Sequence, residues 1–338
     1  MSAAALDYPL PRPALGEPVP VAGGVRWLRL PLPFALDHIN LWLLDGAAGE
    51  RVLVDTGVGS PDNRAHWQGL LEAWSPGRIV VTHFHPDHMG LARWLQAATG
   101  AVVWMTRAER DTAERLLASS DDEAGESVAA FYRRHGLDAG RADALRRRGN
   151  TYSPLVDGMP EIGCCIADGD TLDLAGADWR VIVGRGHAPE HACLYRAEDG
   201  VLIAGDQLLP RISSNVSVPP AAPDADPLGA FLDSLDTLDT LPADTLVLPS
   251  HGRPFRGLHV RTAELRAHHG HHLEVLLAEA RRRPLTAADA LPLLFDRSLD
   301  SHSLFFAMGE AVAHLNRLWH TGAVARRERD GAWVFTAP

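Results

Sequence analysis

From Val25 onward the chain is punctuated by short apolar runs of strand length: VRWLRL, INLWLL, RVLVD, RIVVTH, AVVWM, WRVIV, ACLY, VLIAGD and TLVLPSH. Between several of them lie helical patterns, such as MGLARWLQAATG and PLGAFLDSLDTLDTL. In the second of these, Leu228, Phe231, Leu232, Leu235 and Leu238 recur at helical spacing. Strands suited to burial, interleaved with amphipathic helices, predict a mixed α/β core in which helices cover sheets. With 338 residues there is room for one large domain and a smaller one.

The flanking segments differ from that core. Residues 8 to 20 carry Pro9, Pro11, Pro13, Pro18 and Pro20, too many for a helix or an inner strand, so residues 1–24 are expected to form an extended arm. Residues 25–259 hold the strand pattern, interrupted at about 107–150 by a helical insertion with nine basic and nine acidic residues. From 260 to 338 the chain reads as helical until a final hairpin. The last helix presents Val312, Leu315, Leu318 and Trp319 on one face, and Asp330-Gly331 signals the turn before the strand WVF. Helices closed by a hairpin suggest a small winged-helix-like domain.

The polar residues that end the apolar runs carry the chemistry. VTHFHPDHMG follows one run directly, RVIVGRGH ends at His187, VLIAGD at Asp206 and TLVLPSH at His251. In sheet-and-helix folds such strand ends are held rigidly and open into the crevice where ligands bind. His83 and His85 alternate on one side of an extended segment, Pro86 turns the chain, and Asp87 and His88 reach a second position nearby. Neutral imidazoles with carboxylates suit zinc, iron or manganese better than calcium. The expected cofactor is therefore a pair of divalent ions, zinc foremost, with Asp206 able to bridge them.

HFHPDH, the DTG of Asp55–Gly57, GHAPEH from Gly186, the GD ending at Asp206 and the SHG around His251 occur together in an order that resembles the metallo-β-lactamase superfamily of hydrolases, over about residues 25–255. The resemblance implies an αββα sandwich with the site at one edge. It implies that His83, His85 and His187 bind one metal, that Asp87, His88 and His251 bind the other, and that Asp206 bridges them. Asp55 would support the ligands from behind. An aspartate at position 206 is more like the glyoxalase II, lactonase and nuclease branches than a true β-lactamase, and the tail resembles an extension found on some superfamily members. The expected reaction is attack of a metal-bridging hydroxide on a carboxylic ester, thioester or lactone, with Asp87 and Asp206 catalytic. Phe34 and His38 before INLWLL, and Arg211, Ser213 and Asn215 after Asp206, are the residues expected nearest the substrate.

Two other readings stay open on the sequence: a metal-dependent nuclease or phosphodiesterase, and a non-catalytic protein whose metals are structural. The formal net charge of −11 disfavours nucleic acid. Even residues 261–338 carry ten arginines against nine acidic residues, a balance of only +1. A small-molecule acyl substrate is the expected partner, with a homodimer possible through the tail. The HHGHH stretch at 268–272 reads as a solvated helix face, and Glu190 and His191 as residues that orient the segment after His187. Cys164 and Cys165 read as buried small apolar residues. Three cysteines without framework spacing, and no apolar stretch of membrane-spanning length, give a cytoplasmic expectation with no membrane partner.

Overall fold

The computed structural model describes residues 5–34, 36–296 and 298–338. In chain order the first elements are β1 (Val19–Ala22), β2 (Val25–Pro31), β3 (His38–Asp45), β4 (Arg51–Val54), α1 (Pro61–Leu71), β5 (Arg78–Val80), α2 (Pro86–Met89), α3 (Ala92–Thr99) and β6 (Val102–Thr106). Then follow α4 (Arg107–Ala118), α5 (Asp121–Arg134), α6 (Ala139–Arg146), β7 (Ile162–Ile166), β8 (Thr171–Leu174), β9 (Ala177–Gly184), β10 (His191–Arg196) and β11 (Val201–Gly205). The chain continues with α7 (Pro227–Leu238), β12 (Leu246–Pro249), α8 (Leu258–Arg282), α9 (Ala287–Leu294), α10 (Ser301–His320), β13 (Ala325–Arg329) and β14 (Ala332–Thr336). The described residues form two compact units. The first takes those up to Ala118, Thr151–Ser214 and Thr237–Thr262; the second takes Ser119–Asn150, Asn215–Asp236 and those from Ala263 on.

The first unit is a sandwich of two sheets, one ordered β1-β2-β3-β4-β5-β6-β7 and the other β12-β11-β10-β9-β8. β4 to β7 pair in parallel, as do β11 and β12, while the remaining pairs are antiparallel. Alternate residues of the seven-stranded sheet face opposite layers. Val25, Trp27, Trp42, Leu44, Val52 and Val54 pack against Trp179, Val181, Leu194, Ile203 and Leu248 of the other sheet. Leu28, Leu30, Ile39, Leu41, Leu53 and Ile79 pack instead with Trp67 of α1 and Leu95 of α3. Burial on both faces explains why these strands read as continuous apolar runs and not as alternating ones. Each large side chain so buried contributes about 1.5–3 kcal/mol. Mixed sheets flanked by helices are thus the architecture, as expected. Among the described residues no helix is long and apolar enough to cross a membrane.

Three expectations meet the structure here. The extended arm of residues 1–24 includes an edge strand, since Val19–Ala22 forms β1 on β2, with Pro20 opposite Arg26. An edge strand tolerates proline because one of its sides makes no ladder bonds. Upstream of β1 the arm is tied down by Arg253, whose guanidinium donates to the carbonyls of Tyr8 and Leu10, and by Arg29, which donates to that of Pro13. Second, β7 and β8 left no apolar run to read, and Cys164 lies exposed on β7, an edge strand, with Cys165 half-buried.

The third concerns boundaries. Of the helical insertion, α4 belongs to the sandwich unit, but residues 119–150 pack with the C-terminal helices. The reason lies in the apolar faces of α5 and α6: Phe131, Tyr132 and Leu145 are buried, and the Tyr132 hydroxyl donates to the carbonyl of Phe305 on α10 at 2.9 Å. At the end of the chain, β13 and β14 form the expected hairpin, with Asp330 at φ 53° and Gly331 at φ 77°. Both turn residues in the left-handed region match the right-handed twist of a two-residue hairpin. Val312, Leu315 and Leu318 are buried on α10, and Trp319 is half-buried beneath the Arg326 guanidinium.

Candidate metal centre

Every residue singled out at a strand end arrives at one edge of the sandwich. Asp55 follows β4, His83 and His85 follow β5, Asp87 and His88 lie on α2, His187 follows β9, Asp206 follows β11 and His251 follows β12. Cross-links between the sheets bring these ends together. The Ala192 amide of β10 donates to Thr82 O at 2.9 Å. Asn40 of β3 donates through its backbone to Ser250 O at 2.7 Å and through its side chain to Pro249 O at 2.8 Å, its own side-chain carbonyl accepting from Trp27 Nε1. These bonds satisfy buried polar groups while holding the turn that carries His251.

Two clusters result. His83, His85, His187 and Asp206 bring one ligand-type atom each to within 4.8 Å of one another, and Asp87, His88 and His251 do the same. Asp206 faces both: its Oδ2 lies 3.6 Å from His187 Nε2 and 3.7 Å from His88 Nε2, and its Oδ1 lies 3.4 Å from His251 Nε2. His83 Nε2 approaches His85 Nδ1 at 2.8 Å and His187 Nε2 at 3.2 Å. Imidazole nitrogens converging so closely cannot all carry protons, and the separations are those of donors sharing one ion.

Supporting groups set the ring orientations. Asp55, in a left-handed conformation at φ 62°, accepts from the Thr82 amide and hydroxyl, both at 2.8 Å, and from His88 Nδ1 at 2.7 Å. That bond fixes the His88 tautomer and leaves its Nε2 lone pair for a metal. His251 Nδ1 donates to His38 O at 2.8 Å, which frees its Nε2 in the same way.

Burial and the neighbouring histidines hold His83 well below its usual pKa, and burial brings His85 down to about 3, so both are neutral donors. Burial opposes charge on His251 and His88 as well, but Asp206 and Asp87 outweigh it and raise His251 to about 10. With Asp55, these same carboxylates raise His88 well above its ordinary value. Burial likewise opposes charge on Asp87, yet His88 and His251 bring it down to about 2. His88 Nε2 and Asp206 Oδ1 are buried without a hydrogen bond. Neutral His83 and His85, an ionised Asp87 and orphaned buried atoms aimed at shared space fit divalent ions, and the carboxylates that favour positive charge on His88 and His251 would favour a bound cation in the same place.

The residues expected near substrate divide. Phe34 is exposed (38%) in the loop before β3. His38 is not a surface contact but a brace: it is buried, its Nδ1 pairs with Asp37, and its Nε2 accepts from the Gly252 amide at 3.0 Å. Arg211 is exposed and Ser213 half-buried, yet the serine that turns toward the centre is its neighbour Ser214, whose hydroxyl donates to Asp206 O. Asn215 belongs to the second unit and accepts from the Ser217 hydroxyl at 2.8 Å.

Sequence reasoning gave His191 only the role of orienting the segment after His187, and it missed Glu109 and Tyr152. His191 lies buried beside His83, ring centroids 4.7 Å apart, and its Nε2 accepts from the Asp206 amide at 3.1 Å. Glu109, buried on α4, accepts from Phe84 N at 3.0 Å and Glu190 N at 2.6 Å, so one carboxylate ties together the two histidine loops. Tyr152 donates to Phe84 O at 2.6 Å. His191 stood within the GHAPEH motif, but Glu109 and Tyr152 carry no local signal.

A sandwich edge with two histidine and aspartate clusters facing one shared carboxylate defines the class of dinuclear metallohydrolases. Residues 35–251 match the Metallo-beta-lactamase superfamily, and residues 273–338 match its partner description, Metallo-beta-lactamase-like, C-terminal domain. The chain belongs to the metallo-β-lactamase superfamily and is a hydrolytic enzyme of that group. A beta-lactamase domain protein from Burkholderia ambifaria has a crystal structure that superposes with a TM-score of 0.90 at 43% identity, covering 98% of each chain. Among curated relatives, an atrochrysone carboxyl ACP thioesterase of Aspergillus fumigatus is 23% identical over 231 residues, 67% of this chain but only 40% of that protein. A hydroxyacylglutathione hydrolase of Cereibacter sphaeroides is 25% identical over 221 residues, 65% of this chain and 64% of that protein.

Proposed function

We propose that the chain hydrolyses a carboxylic ester, thioester or lactone with two divalent ions, zinc foremost. His83, His85 and His187 would hold one ion, Asp87, His88 and His251 the other, and Asp206 both. The observation that carries this reading is the Asp206 carboxylate, within 3.4–3.7 Å of nitrogens from both histidine sets. When bound, such a pair of ions supplies polarisation of the scissile carbonyl and activation of a water nucleophile. Asp55 and the His38 carbonyl keep His88 and His251 in the donor tautomer. Asp87, ionised and 3.3 Å from His251 Nε2, is suited to orient the attacking water. His191, through the Asp206 amide, and Ser214, through the Asp206 carbonyl, hold the shared carboxylate against displacement. An acyl substrate is supported by the thioesterase and hydroxyacylglutathione hydrolase relatives and by the net charge of −11, which repels polynucleotides.

The test is initial rates of zinc-loaded and manganese-loaded protein on acyl-glutathione thioesters, acyl-homoserine lactones, aryl esters, bis-aryl phosphodiesters and single-stranded RNA, with Asp206→Ala as the blank. Turnover confined to acyl substrates and lost in Asp206→Ala is the expected result. Turnover confined to phosphodiesters or RNA, or an Asp206→Ala protein of full activity, overturns the reading.

A further inference from the structure

A second group of metal-capable side chains lies wholly within the other unit. His268, His269 and Glu310 bring ligand-type atoms to within 4.8 Å of one another, and so do His272, Glu310 and His314. Glu310 is common to both sets. The residues come from two helices in matching spacing: His268 and His272 are four apart on α8, Glu310 and His314 four apart on α10. Residues at that spacing share a helix face, so each helix presents a pair of donors. Metal sites in helical bundles are built this way, from facing helices contributing imidazole and carboxylate groups.

The local chemistry repeats that of the sandwich centre. His314 Nδ1 donates to Glu310 O at 2.9 Å, which leaves its Nε2 as a lone-pair donor. His269 Nδ1 stands 3.2 Å from that Nε2, so the buried His269 ring borders the His314 donor. His269 and His314 are fully buried, and His269 Nε2 and His272 Nδ1 make no hydrogen bond. Burial keeps His269 at about 3, and His272 and His314 at about 4, so the imidazoles are neutral. Burial alone lifts Glu310 to about 7, and among the described residues its carboxylate has no ion pair or hydrogen bond. A half-buried carboxylate beside neutral imidazoles lacks the positive charge that would compensate it. An exposed His268 and a half-buried His272 leave a route from solvent.

We propose that Glu310, His314 and His272 hold a further divalent transition-metal ion of the zinc class, and that this ion pins α8 to α10. Imidazole with one carboxylate is the donor set that zinc, nickel and copper accept. The test uses the full chain, stripped by chelator and dialysed against zinc, with zinc per chain read by mass spectrometry. Wild type is expected to hold one ion more than His272→Asn or Glu310→Gln, and to melt at a higher temperature with zinc than those variants. The His271→Asn variant, altered at an exposed neighbour outside the cluster, is expected to keep that ion. Cobalt in place of zinc should give a visible absorption component that His272→Asn, at a half-buried position, lacks while the rest of the spectrum stays. Equal zinc content in wild type and both cluster variants overturns the proposal. So does a loss in His271→Asn as large as in His272→Asn, which would mean loose chelation by exposed imidazoles.

Discussion

At the scale of single residues, the seven residues of the candidate centre were legible because each stands where a buried strand ends, a position visible in the pattern of apolar runs. Residues that act on them through hydrogen bonds were legible only where they sat inside the same motifs. Asp55 did, and it orients His88 at 2.7 Å. Its replacement by alanine is expected to cost about 10–100-fold in zinc affinity and turnover, as loss of such a partner does, with zinc titration as the measurement. Glu109 did not, because nothing in the sequence tells a carboxylate on an amphipathic helix face that it will meet two loop amides. His135 makes a separate prediction in the second unit. Buried between Phe131 and Trp333 with neither ring nitrogen bonded, it is brought down to about 3 by burial, then by Arg326 and Arg134. Its folded value lies below its unfolded value of 6.5, so the unfolded chain binds the extra proton and stability drains as pH falls from 6.5 toward 3. His135→Phe is expected to remove about 1.4 kcal/mol per pH unit from that slope, read as unfolding free energy against pH. An unchanged slope would show that the ring finds solvent before it protonates.

Among the elements, strand ends and turns decide how finely the centre is built. Gly205 closes β11 at φ 54°, and a Cβ there would lie 2.3 Å from His191 Nε2, the atom that accepts from the Asp206 amide. Gly205→Ala is therefore expected to displace Asp206 and cut turnover by about 100-fold, the effect of a misplacement near 1 Å, with zinc content and kcat as readouts. Gly331 is the opposite case, with φ 77° and open space where a Cβ would stand. Gly331→Ala is expected to cost about 1–2 kcal/mol of backbone strain and nothing else, measured by denaturant unfolding with turnover unaffected. Elements were also where reading by pattern failed. HHGHH resembled a solvated face because a helix is judged from its own residues, whereas His269 is buried against α10 by a partner more than forty positions away.

For the whole molecule, the sandwich centre holds carboxylates and imidazoles whose charges are balanced internally only in part, so ions should stabilise the native state against a chain that binds them weakly. Chelation is expected to abolish turnover and lower Tm, and zinc at about 100 times its Kd should restore about 2.7 kcal/mol. Turnover that persists in protein verified free of metal would sink the metal-dependent mechanism. Sequence by itself determined the α/β class, the strands buried on both faces, the histidine and aspartate residues of the centre and the closing hairpin. All of these follow from periodicity, from where apolar runs stop, or from turn residues at fixed offsets, which are local properties of the chain. Only the tertiary structure decided that residues 119–150 pack with the C-terminal helices and that β1 and β7 edge the larger sheet. It alone showed that His38 braces His251 and that Glu310 gathers imidazoles from two helices. Those outcomes depend on which apolar face meets which, and on hydrogen bonds between residues such as His38 and His251, 213 positions apart, a pairing that local spacing does not encode.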